Sequence, residues 1–269
     1  MTNTTAILDY NHPKVRQIVK SLTESLKDEK EIVKACYLYV RDTIKFGYNE
    51  SDDIPASKVI EDGYGQCNTK SNLLLALLRA SNIEARFHGF TIDKRLQYGA
   101  VTGIFYLMTP KEILHSWIEV KIDGEWLNLE GFILDSTYLN SLKKYFSKET
   151  KSLCGYGVAS DSFGAPEIEY EGNNSTYIQK EGIVRDLGVF STPDEFYEKY
   201  GTNPQGIRKI LFKYLVRKIM NSNISRIRKQ KSTSVKKMKK GFTGYPVGTI
   251  AFYGPDNRQA TKVSVGIVM

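Results

Sequence analysis

Residues 63–80, which read GYGQCNTKSNLLLALLRA, join a glycine-containing loop to a run of apolar residues. We predict a helix over 68–80 that is apolar on most sides and therefore runs through the core. Cys67 stands where the loop meets this helix. Unpaired amide donors and the positive end of the helix dipole stabilise a thiolate there, so we predict a lowered thiol pKa and a nucleophilic sulfur. The alternative for this residue taken alone is a small buried hydrophobe.

The loop before the cysteine supplies further candidate site residues. Gly63 and Gly65 carry no side chains, so a substrate carbonyl can approach the Cys67 amide, which would then act as an oxyanion donor. Gln66 is a second candidate oxyanion donor. Tyr64 is a candidate for lining an acyl pocket, with a packing role as the alternative.

The second informative stretch is 115–130, which reads HSWIEVKIDGEWLNLE. The Asp-Gly dipeptide at 123–124 is typical of a two-residue type I′ hairpin turn. That turn fixes a register in which the aliphatic side chains share one face of the hairpin. On the other face, His115 lies diagonally beside Glu130, within reach of a side-chain contact. The register therefore predicts a histidine–carboxylate pair.

In a site that combines a thiol, a histidine and an acid, each side chain has a distinct catalytic role. Cys67 attacks a carbonyl, His115 takes and then delivers the proton, and Glu130 orients the imidazole and stabilises the imidazolium. The product is an acyl-thioester. Water resolves it in a hydrolase and an amine resolves it in a transferase, and the residues leave both open.

These blocks resemble the transglutaminase-like superfamily of papain-fold thiol enzymes. The resemblance covers about residues 30–135 and rests on GQC at 65–67 before an apolar helix, HSWIEV at 115–120 and DGEWLNLE at 123–130. It implies an α+β, papain-like fold in which a buried nucleophile helix packs on an antiparallel sheet. It also implies no obligatory cofactor and amide chemistry on a peptide, a protein or a small amide. The sequence STPDEFY at 191–197 resembles bacterial single-domain members.

One departure from the family pattern concerns the acid. The family usually has aspartate after the tryptophan, and here Glu130 occupies that position. The extra methylene can shift the carboxylate, so Asn128 and Asp135 are alternatives as the orienting group. Trp117 shares the hairpin face of His115 and is a further pocket candidate.

The bases of this 269-residue chain are unevenly distributed. The net charge is +8, yet residues 208–240 hold thirteen Lys and Arg and no acid, so the rest of the chain carries −5. Apolar spacing predicts a basic helix over 207–220, followed by a solvated cationic segment over 221–240. We divide the chain into a catalytic core with N-terminal helices over 1–150 and a C-terminal extension over 151–269.

The cationic segment supports a second hypothesis about function. A basic run of this kind can hold nucleic acid or an anionic membrane surface, or simply keep a protein soluble. In this alternative the papain-like body is a catalytically silent scaffold, and the basic segment binds an anionic partner. Reactivity at Cys67 distinguishes the two hypotheses.

The composition excludes several classes of protein. A chain with 41% hydrophobic and 25% charged residues is typical of a folded protein. No apolar run approaches the roughly 20 residues of a membrane-spanning helix, and the N-terminus lacks an export signal, so we expect a cytoplasmic protein without a transmembrane segment. The chain has no HExxH, P-loop or GxSxG motif, so neither a metal site nor serine-hydrolase chemistry is expected.

The other histidine and cysteine residues are weaker candidates. His88 lies on a predicted strand, where we expect an exposed or hydrogen-bonded side chain rather than a second base. Cys36 lies on an apolar helical face and is expected in the core. Cys154, in a loop with glycines, is a candidate exposed thiol.

Overall fold

Helix α4 (Cys67–Ala80) lies at the buried centre of the computed structural model, which describes residues 4–146, 150–204 and 206–229. The apolar side chains from Leu73 to Leu78 are fully buried, because an apolar run without a polar face must be covered on all sides. Helix α3 (Ala56–Asp62) ends at Gly63 with a φ of 68°, a left-handed conformation that favours glycine. This ending turns the chain into α4.

The fold mixes helices and sheet, as the sequence predicts. The helices before α3 are α1 (Pro13–Thr23) and α2 (Glu29–Leu38), and α2 continues into a π-helical turn over Tyr39–Thr43. The later helices are α5 (Gly103–Met108), α6 (Ser136–Tyr145), α7 (Pro193–Tyr200), α8 (Ile207–Leu211) and α9 (Arg217–Lys229).

The main sheet has four antiparallel strands: β3 (Ala85–Asp93), β4 (Glu112–Ile122), β5 (Glu125–Leu129) and β8 (Ile183–Phe190). Their order in the sheet is β5-β4-β3-β8. Two short pairs accompany it: β1 (Lys45–Phe46) runs parallel to β2 (Tyr64–Gly65), and β6 (Leu153–Gly155) runs antiparallel to β7 (Val158–Ser160).

The predicted register of the β4–β5 hairpin is confirmed. Ile118 pairs with Leu129, and Ile122 pairs with Glu125. Asp123 and Gly124 have φ values of 50° and 88°, the two positive angles of a type I′ turn. A short turn fixed by its own sequence therefore determines which side chains of β4 and β5 share a face.

Helix α4 is fixed to β4 through side-chain hydrogen bonds at its first turns. Asn68 Nδ2 donates to the carbonyl of Leu114 (3.1 Å), and Asn68 Oδ1 accepts from Ser116 Oγ (3.0 Å). One turn later, Ser71 Oγ donates to the carbonyl of Ser116 (3.1 Å). Buried polar groups need such partners, so these bonds hold the first residue of α4 against the middle of β4.

The basic helix extends beyond its predicted end. We predicted a helix over 207–220 and a solvated segment after it, but α9 continues to Lys229. The predicted end is wrong because Ile224 and Ile227 are buried and continue the apolar side of the helix. Arg228 also donates to the carboxylate of Asp135 and so holds the last turn against the body. Residues 230–240 of the predicted cationic segment lie outside the described residues.

The described residues, which end at Lys229, form one compact unit. Among the described residues, no helix is both long enough and apolar enough to cross a bilayer. Cys36 is buried in the core as predicted, and Cys154 on β6 is half-buried.

His88 joins three strands of the main sheet. On β3, its Nδ1 lies 2.5 Å from Glu119 Oε1 of β4, and its Nε2 lies 2.9 Å from Asp186 Oδ1 of β8. Burial lowers the pKa of His88, but the two carboxylates outweigh burial and raise it above its ordinary value. The expectation of a hydrogen-bonded histidine is confirmed.

Lys70, one turn into α4, is fully buried. Its Nζ donates to the carbonyls of Arg41 (3.2 Å) and Ile133 (3.0 Å). Burial lowers the pKa of Lys70 to about 7, although the charges of Asp135 and Asp42 oppose the shift. The protein therefore buries a lysine whose charged form is poorly solvated.

This lowered pKa predicts a pH-dependent stability. Between about pH 7 and 10 the unfolded chain keeps the Lys70 proton longer than the folded one, so the free energy of unfolding rises with pH by up to about 1.4 kcal/mol per unit. Lys70→Met removes this contribution. We expect the unfolding free energy of the wild type minus that of the variant to rise with pH over this range. The measurement is urea denaturation followed by circular dichroism.

Lys34→Met is the control, because Lys34 is exposed on α2 and is not among the charges that shift the pKa of Lys70. It should follow the wild-type pH dependence. A parallel dependence in Lys70→Met and wild type would show that Lys70 stays charged in the folded protein.

Candidate active site

Cys67 is half-buried at the start of α4, with its sulfur close to the backbone N–H groups of Asn68 and Ser116. Burial raises the pKa of the Cys67 thiol well above its ordinary value, and the charges of Asp52 and Glu130 raise it further. The two N–H groups oppose this shift but do not reverse it. The lowered pKa predicted from the helix N-terminus is therefore wrong, because loss of solvation outweighs the helix amides.

His115 and Glu130 form a fully buried pair. The distance from His115 Nε2 to Glu130 Oε1 is 2.8 Å, which is the contact that the hairpin register predicted. The other carboxylate oxygen, Oε2, accepts hydrogen bonds from the backbone N–H groups of Ile178 (3.0 Å) and Gln179 (2.9 Å). Both oxygens thus have partners, and the glutamate is held in one orientation.

The second ring nitrogen of His115 makes no hydrogen bond to the described residues. Nδ1 is buried and has no hydrogen-bond partner within the described part of the chain. Because Nε2 is bonded to the carboxylate, the imidazole can carry its proton there and keep Nδ1 as an acceptor. Ser116, which follows His115, presents its N–H to the sulfur of Cys67. His115, whose Nδ1 has no partner, is therefore the chain neighbour of a residue that contacts the sulfur of Cys67.

Gln66 caps α4 and orders the loop before it. Its Oε1 accepts from the backbone N–H of Asn49 (2.8 Å), and its Nε2 donates to Asp52 Oδ1 (2.9 Å). A primary amide has two N–H donors, so one remains for an oxyanion. The first amides of a helix, including that of Cys67, have no partner within the helix.

Asp52 is a buried acid that the sequence did not single out. Its side chain accepts from Gln66, its Oδ2 also accepts from the backbone N–H of Asn203 (2.9 Å), and its carbonyl accepts from Asn72 Nδ2 (2.8 Å). Burial raises the pKa of Asp52 in spite of the donors to its carboxylate, Gln66 and the N–H of Asn203. In the sequence, Asp52 stands in an acidic turn that is typical of a surface, so no local signal distinguished it.

Two predicted alternatives to Glu130 are engaged elsewhere. Asn128 Nδ2 donates to the hydroxyl of Tyr177 (2.8 Å). Asp135 caps α6 by accepting from the backbone N–H of Tyr138 (2.9 Å), and it also accepts from that of Phe46 (2.8 Å). The structure thus joins His115 to Glu130 and directs the other two side chains away.

An apolar cavity of about 140 Å³ adjoins Cys67. The polar residues that also line it are Asp52, Gln66, Asn68, Gln97, Thr109, Gln179 and Asn203. The larger part of the lining is apolar: Phe46, Tyr48, Ile92, Leu96, Val101, Phe105, Met108, Pro110, Ile113, Leu114, Pro204, Leu211, Phe212, Val216 and Met220.

Two predicted pocket residues are not part of this lining. The side chain of Tyr64 packs against Gly47 on the β1–β2 pair. Trp117 packs against Phe90, with ring centroids 4.0 Å apart. Across the described ranges, no three His, Cys, Asp or Glu side chains are grouped as metal ligands.

A family model described as "Transglutaminase-like superfamily" matches residues 16–131, a range that includes Cys67, His115 and Glu130. The chain carries a domain of the transglutaminase-like superfamily. The match ends just after Glu130, so the amides of residues 178–179 that hold this acid lie outside the matched range of the transglutaminase-like domain.

Two solved structures are similar to parts of the chain. A protein from Cytophaga hutchinsonii, described as a "putative cysteine protease", is 17% identical over 49% of this chain and 41% of its own, with a TM-score of 0.37. A protein from Parabacteroides distasonis ATCC 8503, described as a "putative protease", is 15% identical over 42% of this chain and 22% of its own, with a TM-score of 0.31. The chain thus spans less than half the length of either protein. A comparison with curated proteins found no match.

The raised pKa of the Cys67 thiol predicts how the sulfur reacts with an alkylating reagent. Because the thiolate is scarce at neutral pH, we expect the rate of alkylation by iodoacetamide to keep rising from pH 7 to 10 without a plateau. Asp52→Asn removes a negative charge beside the sulfur and should shift this profile to lower pH. Peptide mass mapping identifies the labelled cysteine.

Asp53→Asn is the matched control, because Asp53 neighbours Asp52 but pairs with Lys209 at 3.4 Å. It should leave the profile unchanged. A rate that is already maximal below pH 7 would contradict this prediction and indicate a preformed thiolate–imidazolium pair.

Proposed function

We propose that this protein is a cysteine enzyme that cleaves amide bonds through an acyl-thioester. The observation that carries the proposal is the state of His115: one ring nitrogen is bonded to a fully partnered carboxylate, and the other is buried without a partner. A base needs a fixed orientation and a free nitrogen, and this imidazole has both. Membership of the domain in the transglutaminase-like superfamily supports the same chemistry.

In the first half-reaction, Cys67 is the nucleophile. Because its thiol is neutral at rest, His115 Nδ1 takes the proton as the sulfur attacks the carbonyl carbon and the C–S bond forms. The carbonyl oxygen becomes an oxyanion, and the amide of Cys67 and the remaining N–H of Gln66 are the donors we assign to it. The intermediate collapses, the C–N bond breaks, and the imidazolium returns its proton to the leaving amine.

In the second half-reaction, the thioester is resolved. His115 removes a proton from water as the water oxygen attacks, and the C–S bond then breaks to release a carboxylic acid. The imidazolium returns its proton to the sulfur, which restores the Cys67 thiol and the neutral base. An amine in place of water would give acyl transfer with the same groups. We prefer hydrolysis because water needs no binding site of its own.

Glu130 acts through His115 rather than on the substrate. Its carboxylate stabilises the imidazolium that forms in each half-reaction and keeps the Nδ1 atom as the acceptor. The amides of Ile178 and Gln179 hold the second oxygen of Glu130, so the longer side chain that replaces aspartate is still fixed in position.

A catalytically silent scaffold that binds an anionic partner is a weaker candidate. Several bases in the described part of the C-terminal helices are paired with acids of the body. Lys213 Nζ lies 2.8 Å from Glu50 Oε2, and Arg228 contacts Asp135. These pairs reduce the positive charge available to a partner.

Variants of the three residues test this function. With a panel of N-acyl aminomethylcoumarin amides as substrates, we expect Cys67→Ala to abolish release of the fluorophore and His115→Ala to lower kcat by about 10²- to 10⁴-fold. Glu130→Gln should lower kcat by about 10²- to 10⁴-fold with little change in KM, because it disturbs the proton carrier and not the substrate. Mass spectrometry of the product in ¹⁸O-water distinguishes hydrolysis from amine transfer.

His88→Gln is the matched control, because His88 also hydrogen-bonds a buried glutamate of β4. It should lower stability and leave kcat unchanged in the protein that remains folded. Equal activity of wild type and Cys67→Ala on every amide would overturn the proposal.

A further inference from the structure

We propose that the cavity beside Cys67 binds an apolar side chain of the acyl group, of the size of one aromatic ring or a branched aliphatic group. The inference rests on the proposed function, because it names the class of substrate that the same sulfur would attack. It adds a preference for one class of acyl group, which Cys67, His115 and Glu130 alone do not provide.

The position of the cavity supports an acyl site. Cys67 and its chain neighbours Gln66 and Asn68 are part of its lining. Most of the remaining lining is apolar, with Ile92 and Ile113 from neighbouring strands and other apolar side chains from α5, α8 and α9. A carbonyl held at Cys67 would therefore have the apolar part of its acyl group beside these walls.

The charge of the lining argues against an ionised side chain. Asp52 is the charged residue among those that line the cavity, and its carboxylate already accepts hydrogen bonds from Gln66 and Asn203. Burying a charge without a dedicated partner costs several kcal/mol, whereas burying an apolar group is favourable. The cavity therefore favours an uncharged, apolar occupant.

The volume limits the size of that occupant. The cavity measures about 140 Å³. An apolar cavity of about 150 Å³ in another protein holds one benzene molecule. A phenyl or isobutyl group therefore fits, and a longer chain does not fit entirely.

The entrance to the cavity is apolar as well. Met108 on α5 and Leu211 on α8 line the cavity and are 45% and 38% exposed. Their neighbours Ile104 and Leu107 on α5 are 66% and 73% exposed. Apolar side chains at a mouth favour the approach of an apolar group. Leu211, Val216 and Met220 belong to the C-terminal helices, outside the matched range 16–131.

Alkylation of Cys67 tests the pocket without requiring turnover. The probes are iodoacetamide, N-benzyl iodoacetamide and the cationic N-(2-aminoethyl) iodoacetamide, each normalised to its rate with glutathione at pH 9. We expect the benzyl reagent to label Cys67 at least about 10-fold faster than iodoacetamide, and the cationic reagent to gain no advantage. Equal normalised rates, or a preference for the cationic reagent, would overturn the inference.

Val216→Trp and Leu215→Trp form a matched pair of variants. Val216 lines the cavity, whereas its neighbour Leu215 is 45% exposed and is not part of the lining. Val216→Trp should fill the space and lower the rate with the benzyl reagent more than the rate with iodoacetamide, so that the benzyl preference is lost. Leu215→Trp should keep the preference, and its loss in both variants would overturn the inference.

Amide substrates separate this inference from the proposed function. If amides are cleaved, kcat/KM should be at least about 10-fold higher for phenylalanyl or leucyl donors than for alanyl, lysyl or glutamyl donors. A benzyl preference in labelling without cleavage of any amide would keep the pocket and reject the enzyme. Cleavage of amides without an apolar preference in either assay would support the enzyme and reject the apolar pocket.

Discussion

The amide side chain of Asn68 is the contact on which the rest of the site depends. It bonds at once to the carbonyl of Leu114 and to the hydroxyl of Ser116, the two residues that flank His115. A helix and a strand that are distant in the chain are thereby held in one relative position. Because the sulfur is attached to the first residue of the helix and the imidazole to the strand, the bonds of Asn68, together with that of Ser71, hold the thiol in position relative to the base.

The burial of Glu130 imposes a second constraint, which is the supply of hydrogen-bond donors to its carboxylate. A carboxylate with no exposure to water needs a hydrogen-bond donor for each oxygen. Glu130 finds one donor in His115 and two in the backbone of residues 178–179. Backbone donors have no rotamers, so they fix the glutamate without the entropy cost that side-chain donors would add. The segment that supplies them follows the irregular stretch after α6, where the sequence pattern is weakest.

The sequence predicts the centre of this structure better than its periphery. The apolar run of α4 and the Asp-Gly turn are local signals, and each determines an element by its own chemistry. The register then follows, together with the contact between His115 and Glu130. The β8 strand is absent from the prediction because its apolar residues do not alternate with polar ones. The burial of Asp52 and the raised pKa of the Cys67 thiol depend on atoms brought together only by the fold.

The bond between Arg228 and Asp135 has a consequence for the extent of the folding unit. Asp135 is fully buried beside α6 and follows the end of the matched family range, whereas its cationic partner comes from the last turn of α9. A fragment that stopped near residue 150 would leave Asp135 without its counter-charge and Glu130 without its backbone donors. The contacts that complete the folded unit therefore extend well beyond the segment that matches the superfamily.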